Sequence, residues 1–441
     1  MINIRNRRAL ALCLVLCLML PFSAALAEGT ASGQAGENIT WTLEGGTLTL
    51  SGQGAIPDYA ISGSDRPWEA YAEQIERVHI EPGITAIGEN AFDNLKNLSE
   101  ATIPEGVTSI GKRAFDGINK LESIILPETL TDIEAYAFAF TDLKTIHIPA
   151  SVTHIGDSAL FYAELTEISV AAENPAYTAI DGVLFNKDGT ELLCYPRQKP
   201  QVSYAVPEGV LTIGVDAFGA AYSLENITLP DSLTTIKEGA FDCDYVTSIT
   251  LPAQVSHIDA EALTGYDLKK ILVDPNNPHF SSADGVLFSK DGSVLVRYPE
   301  RKAGESYAIP EGVVSIAPYA FADSSIARVT FPTSLTTIGE YAFYFAALTQ
   351  LNIPGNVQTI EESAFEVCDE MEAVVLAEGV QSLGDYVFFM CDALKTADLP
   401  ASLTEIGRSA FYACDLVTIH APEGSHALTY AQENEIPYQA K

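Results

Sequence analysis

One stretch of the chain, Ile353 to His420, is written three times over: IPGNVQTIEESAFEVCDEMEAVV, LAEGVQSLGDYVFFMCDALKTAD and LPASLTEIGRSAFYACDLVTIH. In register, each slot repeats its chemistry. Ile353, Leu376 and Leu399 open the unit, and Val357, Val380 and Leu403 follow. Ile360, Leu383 and Ile406 come next, then Phe365, Phe388 and Phe411, then Cys368, Cys391 and Cys414. A unit of 22–23 residues cannot bury these apolar slots alone, so successive units must stack on a shared core. That requirement constrains the chain more than its length does, because a solenoid grows along one axis and need not divide into separate domains.

The phenylalanine slot can be followed through the chain as Phe92, Phe115, Phe138, Leu160, Phe218, Phe241, Leu263, Phe321, Phe343, Phe365, Phe388 and Phe411, which gives twelve units. Each contains a β stretch such as Leu121 to Leu126, closed by a proline, here Pro127. Proline cannot donate to a ladder and so marks the end of the strand. A second short run, Val107 to Ile110, ends at Gly111 before the Ala114-Phe115 turn, read as one helical or 3-10 turn. At ~4.8 Å per stacked strand, twelve coils span roughly 60 Å.

Two interruptions match each other at an offset of 103 residues. Asn174-Pro175, Asp181 to Phe185, Tyr195-Pro196 and Tyr204 to Pro207 return as Asn277-Pro278, Asp284 to Phe288, Tyr298-Pro299 and Tyr307 to Pro310. The Asn186-Lys187-Asp188-Gly189 turn returns as Ser289-Lys290-Asp291-Gly292. With apolar runs on both sides, each insert reads as a β-hairpin, near residues 171–203 and 274–306.

Residues 1–27 have the form of an export signal. Arg5, Arg7 and Arg8 precede an apolar run from Ala9 to Leu20, and Ala25-Leu26-Ala27 makes a cleavage site. The run is shorter than the ~20 residues a membrane span needs. Residues 28–76 are expected to form a flexible leader, over 28–36, followed by a β cap. The cap is carried by the alternating runs Thr40 to Leu43 and Thr47 to Leu50 and by the only two tryptophans, Trp41 and Trp68. The solenoid is placed at 77–421 and a C-terminal cap at 422–441, with a short helix over Ala427 to Asn434.

The chain carries 59 acidic residues against 24 lysines and arginines, a net charge of −35. Removing the signal, with three arginines and no acids, takes this to −38. Such a field disfavours nucleic acid and anionic membranes as partners and favours a basic patch on one. Of the seven cysteines, Cys13 and Cys17 lie in the signal. The remaining odd count resists a complete disulfide framework. Cys368, Cys391 and Cys414 share one slot, with Cys243 near it, so they read as small buried hydrophobes.

The unit from Leu399 to Ile419 closely resembles the BspA-like (Treponema pallidum type) leucine-rich repeat. The DGVLF…YP inserts and the N-terminal WTL…PW segment also look like parts of such proteins. Leu160 and Leu263 in place of phenylalanine, and Ala377 in place of proline, are small departures. The resemblance implies a mainly β solenoid with short helical turns, two β-hairpin inserts and terminal caps. It further implies a secreted or surface-associated bacterial protein, some relatives being adhesins for host proteins or other cells. It supplies no catalytic residues.

Side chains alternate faces along a strand, so the residue before the last apolar slot points outward. This gives Thr102, Ile125, His147, Ser169, Thr228, Thr250, Leu272, Thr330, Asn352, Val375, Asp398 and His420, a candidate face for a protein or cell-surface macromolecule. Threonine is also a good strand former, which alone would place it there. Nothing points to catalysis, a cofactor or a metal. The seven histidines are scattered, no G-x-S-x-G, H-E-x-x-H or phosphate-binding glycine loop occurs, and no Cys/His spacing suits zinc. Asp188-Gly189 and Asp291-Gly292 read as hairpin turns, because they lack the spaced acids of a calcium loop.

Overall fold

A computed structural model describes residues 30–265 and 267–441. The expected export signal, residues 1–27, lies outside the described residues. The chain winds as a succession of coils, each with a long-strand side, a short-strand side and a turn side. In one coil the long strand is Thr396–Asp398, the short strand is Glu405–Ile406, and turns through Ala410 and Phe411 lead to the next long strand, Thr418–Ala421. Strands on successive coils pair in parallel, as Val375 with Asp398 and Asp398 with His420.

The turn side is where the Ala-Phe motif sits. Its i→i−3 bonds, such as Ala114 N–H to the Gly111 carbonyl, are those of a 3-10 turn. They do not run on into a helix, because a left-handed residue recurs every four positions, as at Tyr136 (φ 58°) and Phe140 (φ 51°). The alternate amides turn outward along the axis, Phe115 N–H donating to the Ala137 carbonyl of the next coil. The turn side is therefore hydrogen-bonded between coils, as the two strand sides are.

The aromatic slot forms a column of rings. Phe365, Phe388 and Phe411 stack at centroid separations of 5.6 and 5.1 Å, and all are buried. Trp68 closes the column at one end by stacking on Phe92 at 6.0 Å, and Tyr430 meets Phe411 at 6.3 Å at the other. Tyr430 lies on the helix His426–Glu433, whose N-terminus is capped by the Ser425 side chain.

The N-terminal expectation needs one correction. Residues 28–36 are not all leader, since Ala31–Gln34 is a strand paired antiparallel with Ile39–Glu44. Its small residues are what admit it. Gly33 faces Trp41, and a Cβ there would lie 2.8 Å from the indole nitrogen.

Each insert holds the expected antiparallel hairpin across its Asp-Gly turn, Val183–Asn186 with Glu191–Cys194 and Val286–Ser289 with Val294–Arg297. A further strand precedes it, Tyr177–Ile180 and Phe280–Ala283, also antiparallel, and the last strand of each insert joins the short-strand ladder in parallel. Thus the insert adds a coil, and its tyrosine enters the ring column. Tyr195 lies 5.3 Å from Phe218 and Tyr298 lies 4.8 Å from Phe321. The middle strand acts as a septum. Leu184 packs into the preceding core, whereas Val183 and Phe185 pack into the following one. Leu287 repeats this against Val286 and Phe288. The hinge is an asparagine: the fully buried Asn174 donates to the Pro149 and Val152 carbonyls and accepts from the Ala176 and Tyr177 amides. Asn277 repeats all four bonds.

Candidate binding face

The long-strand side carries every residue of the predicted face. Direct pairing joins His147 to Ser169, Thr250 to Leu272, and Asn352, Val375, Asp398 and His420 in one row. Thr102 meets Ile125 through an isolated bridge. Thr228 and Thr330 pair instead with Ala205 and Ala308, which extend the column through the coils that follow the inserts. Towards the N-terminus it continues from Thr102 to His79 and Thr49, residues the repeat register did not include. The column is not one unbroken ladder, since each insert interrupts it after Ser169 and after Leu272.

Exposure follows the alternation of the strand. Ile146, Ile148, Leu351 and Ile353 are buried, whereas His147 and Asn352 between them are exposed. Ile125 is 85 % exposed, an apolar side chain with no burial to account for it. Asp398 and His420 are the half-buried exceptions. His420 Nδ1 lies 3.1 Å from Asp398 Oδ1, and Lys441 also pairs with that carboxylate. Partial burial works to raise the Asp398 pKa, but Lys441 and His420 outweigh it and hold the carboxyl below its usual range.

The face differs electrostatically from the rest of the chain. In this column and the parallel one two residues upstream, Arg77, Lys270 and Arg328 balance Glu100, Glu167 and Asp398. The remainder of both rows is mostly hydroxyl, amide and small apolar. A chain of net charge −35 thus keeps one side near neutrality.

A second threonine ladder, absent from the sequence-based expectation, runs beside the short strands. Its signal was the V-T-x-I of the unit. There the hydroxyls turn back into the stack: Thr108 donates to the Thr85 carbonyl, Thr131 to Thr108, Thr234 to Leu211 and Thr336 to Val314, at 2.9 to 3.2 Å. On the long-strand face, the hydroxyls of Thr102, Thr228, Thr250 and Thr330 have no such bond among the described residues. The ladder beside the short strands stitches coils together; the long-strand ladder leaves its donors to solvent or to a ligand.

No group of three or more His, Cys, Asp or Glu among the described residues is placed to hold a metal ion. No helix among them is long and apolar enough to cross a membrane.

No curated protein matches the sequence significantly. Among solved structures the chain is similar to a leucine-rich repeat protein from Eubacterium ventriosum, with 24 % identity over 87 % of this chain and 95 % of that one, TM-score 0.48. It is also similar to a leucine-rich cell surface protein from Faecalibacterium prausnitzii (26 % identity, 93 % and 98 % covered, TM-score 0.45). The pneumococcal vaccine antigen PcpA is a third (21 % identity, 93 % and 98 % covered, TM-score 0.42). The family model of the BspA-type leucine-rich repeat region matches residues 70–187, 199–284 and 301–422, most of the length. The chain belongs to the BspA-type leucine-rich repeat family.

Proposed function

We propose that this is an exported bacterial binding protein, free or held at the cell surface, that engages another protein or a cell-surface macromolecule through the long-strand face in adhesion. The observation that carries the reading is the contrast between the two threonine ladders. Where the hydroxyls hold coils together they are used up, and where they line the outward column they are free. A partner can satisfy donors of the second kind without competing with the fold, and an unmade bond in a buried interface is costly enough to give specificity. Near neutrality of this face keeps the desolvation cost of docking low. The acidic remainder of the surface steers a partner with a basic rim.

The test is direct binding of the purified mature chain to immobilised extracellular-matrix proteins and to bacterial surface fractions, at two ionic strengths. Saturable binding to a defined protein, retained at higher salt, supports the reading. Binding that vanishes with salt, or none to any surface, leaves the solenoid as a spacer or envelope component.

A further inference from the structure

The turn side changes its surface along the solenoid. In the first coil its two left-handed slots hold asparagines, Asn90 (φ 56°) and Asn94 (φ 57°), a residue that this conformation suits. In the C-terminal coils the second slot holds Phe345, Val367 and Met390, at φ 54°, 55° and 55°. A bulky or β-branched side chain is unfavourable there. Burial does not offset the cost, since Phe345 is 47 % and Met390 43 % exposed. The three form one row, because each amide donates to a carbonyl of the next coil: Phe345 to Glu366, Val367 to Phe389 and Met390 to Tyr412. Beside the row Phe389 stacks on Tyr412 at 5.7 Å, and Tyr412 is 64 % exposed. Exposed acids flank this apolar stripe. Glu340 and Glu362 precede the turn in their coils, and Asp369, Asp392 and Asp415 follow it. The basic residues of these coils, Lys395 and Arg408, are already paired, with Glu372 and Asp385.

The first insert shows what covers such a surface. There the second slot holds Tyr162, and Arg197 lies over its ring at 4.7 Å and pairs with Glu164. Glu164 occupies the repeat position of Asp369, Asp392 and Asp415. Arg113 likewise lies over Tyr136 at 4.9 Å and pairs with Asp116. Ring and acid recur in the C-terminal coils, but among the described residues no arginine or lysine lies over Phe345, Phe389 or Tyr412. We propose that the stripe from Phe345 to Tyr412 docks an amphipathic helix of a partner protein, apolar along its centre and flanked by arginines. A guanidinium can stack on a ring and meet a carboxylate edge-on at once, as Arg197 does.

The spacing favours a helix over an extended segment. Coils recur every ~4.8 Å, whereas same-face residues of a strand recur every ~6.8 Å and fall out of step at once. A helix rises ~5.4 Å per turn, so over the length of the stripe its apolar side chains meet the coils nearly one per turn. Arginines on both flanks then reach the two lines of acids. The stripe lies on a different side of the coil from the long-strand face, so the two surfaces can be tested separately.

The test is calorimetry of the mature chain with a leucine–arginine peptide of about 14 residues, ~21 Å as a helix, its leucines at helical spacing. Its comparisons are an isomer in which leucine and arginine alternate, and the same helix with lysine for arginine. Saturable binding of the arginine helix is expected, at least tenfold tighter than the isomer and several-fold tighter than the lysine helix. Phe345→Asn/Met390→Asn should weaken it at least tenfold without lowering the melting temperature, since asparagine suits both slots. Asp369→Asn/Asp392→Asn should weaken it several-fold. Glu128→Gln/Glu208→Gln removes the same charge elsewhere, and Ile61→Asn removes an exposed apolar side chain near the N-terminus; both should bind as wild type. No saturable binding, equal binding of the isomer or the lysine helix, or equal loss in either control would overturn the proposal. So would self-association of the unliganded chain that Phe345→Asn/Met390→Asn abolishes, which would assign the stripe to a second copy.

Discussion

The Cys391 thiol donates to the Phe365 carbonyl on the preceding coil, at 3.2 Å. The same bond joins Cys243 to Phe218, Cys368 to Phe343 and Cys414 to Phe388. The slot is therefore occupied for a polar reason as well as an apolar one. A small side chain fills the gap beside the ring column, and its weak donor adds a bond to a carbonyl of the preceding coil, one that at Phe218 and Phe343 also accepts a backbone amide of its own turn. The five cysteines among the described residues are free, and burial holds the Cys368 thiol well above its ordinary range. Cys243, Cys368, Cys391 and Cys414 should react slowly with a thiol reagent in the folded protein and quickly after denaturation, with half-buried Cys194 first. A disulfide among Cys368, Cys391 and Cys414, found by mass spectrometry, would contradict this.

Phe388→Ala should cost ~3–5 kcal/mol, as truncating a buried phenylalanine does. Its ring is packed between two others, so the neighbouring coils can collapse only partly into the hole. Chemical denaturation measures it, and an unchanged midpoint would mean that the ring column does not hold the coils together.

Asn174 and Asn277 should be as sensitive as core residues despite being polar. Replacing either by Ala strands two carbonyls and two amides inside the hinge of an insert, a loss of ~2–5 kcal/mol with buried groups at ~1–3 kcal/mol each. Asn→Asp should be comparably harmful, since a carboxylate keeps the acceptor and loses both donors. Denaturation of the two single variants decides it; wild-type stability in either would show that the hinge bonds are dispensable.

Gly407 stands where coil backbones approach closely, and a Cβ added there would lie only 2.3 Å from the carbonyl carbon of Gly384. Gly407→Ala must push adjacent coils apart, and a cost of ~1–3 kcal/mol follows from overpacking. A melting temperature equal to wild type would show that the spacing can relax.

The period, the core slots and the outward column were legible because each rests on side-chain chemistry repeated at fixed spacing. Tyr195 and Tyr298 were not read as members of the ring column, because no Ala-Phe pair announces them. Their signal was the recurrence of Tyr-Pro at the same offset as the inserts. Leu160 and Leu263 looked like harmless substitutions, yet each is the last coil before an insert, where the ring column breaks. The difference between the two threonine ladders could not be read at all. Both are solvent-facing threonines in or beside strands, and only the path of the neighbouring coil decides whether a carbonyl lies within reach of the hydroxyl.

Stability should rise as the pH falls from 7 towards 5. Burial raises Asp242 and Asp116 to about 6, above the ordinary value of 3.8. Between those limits the folded state holds more protons than the unfolded one, so raising the pH destabilises it. Self-repulsion within the acidic chain acts in the same sense. A melting temperature that falls steadily from pH 7 to pH 5 would contradict the assignment.

The central claim is that the outward long-strand face is where a partner docks. Thr228 and Thr250 lie on successive coils of that face, both exposed and both with unbonded hydroxyls. Thr228→Lys/Thr250→Lys costs the fold little, since cross-strand pairs are worth ~0.2–1 kcal/mol each. Beneath a partner the same two charges are desolvated without counterions. The affinity of this variant for the protein captured in the binding test, set against Glu128→Lys/Glu208→Lys, is the decisive measurement. The account predicts at least a tenfold loss in the threonine variant and a small, salt-dependent change in the control. Equal losses in both, or full affinity in the threonine variant, would contradict it.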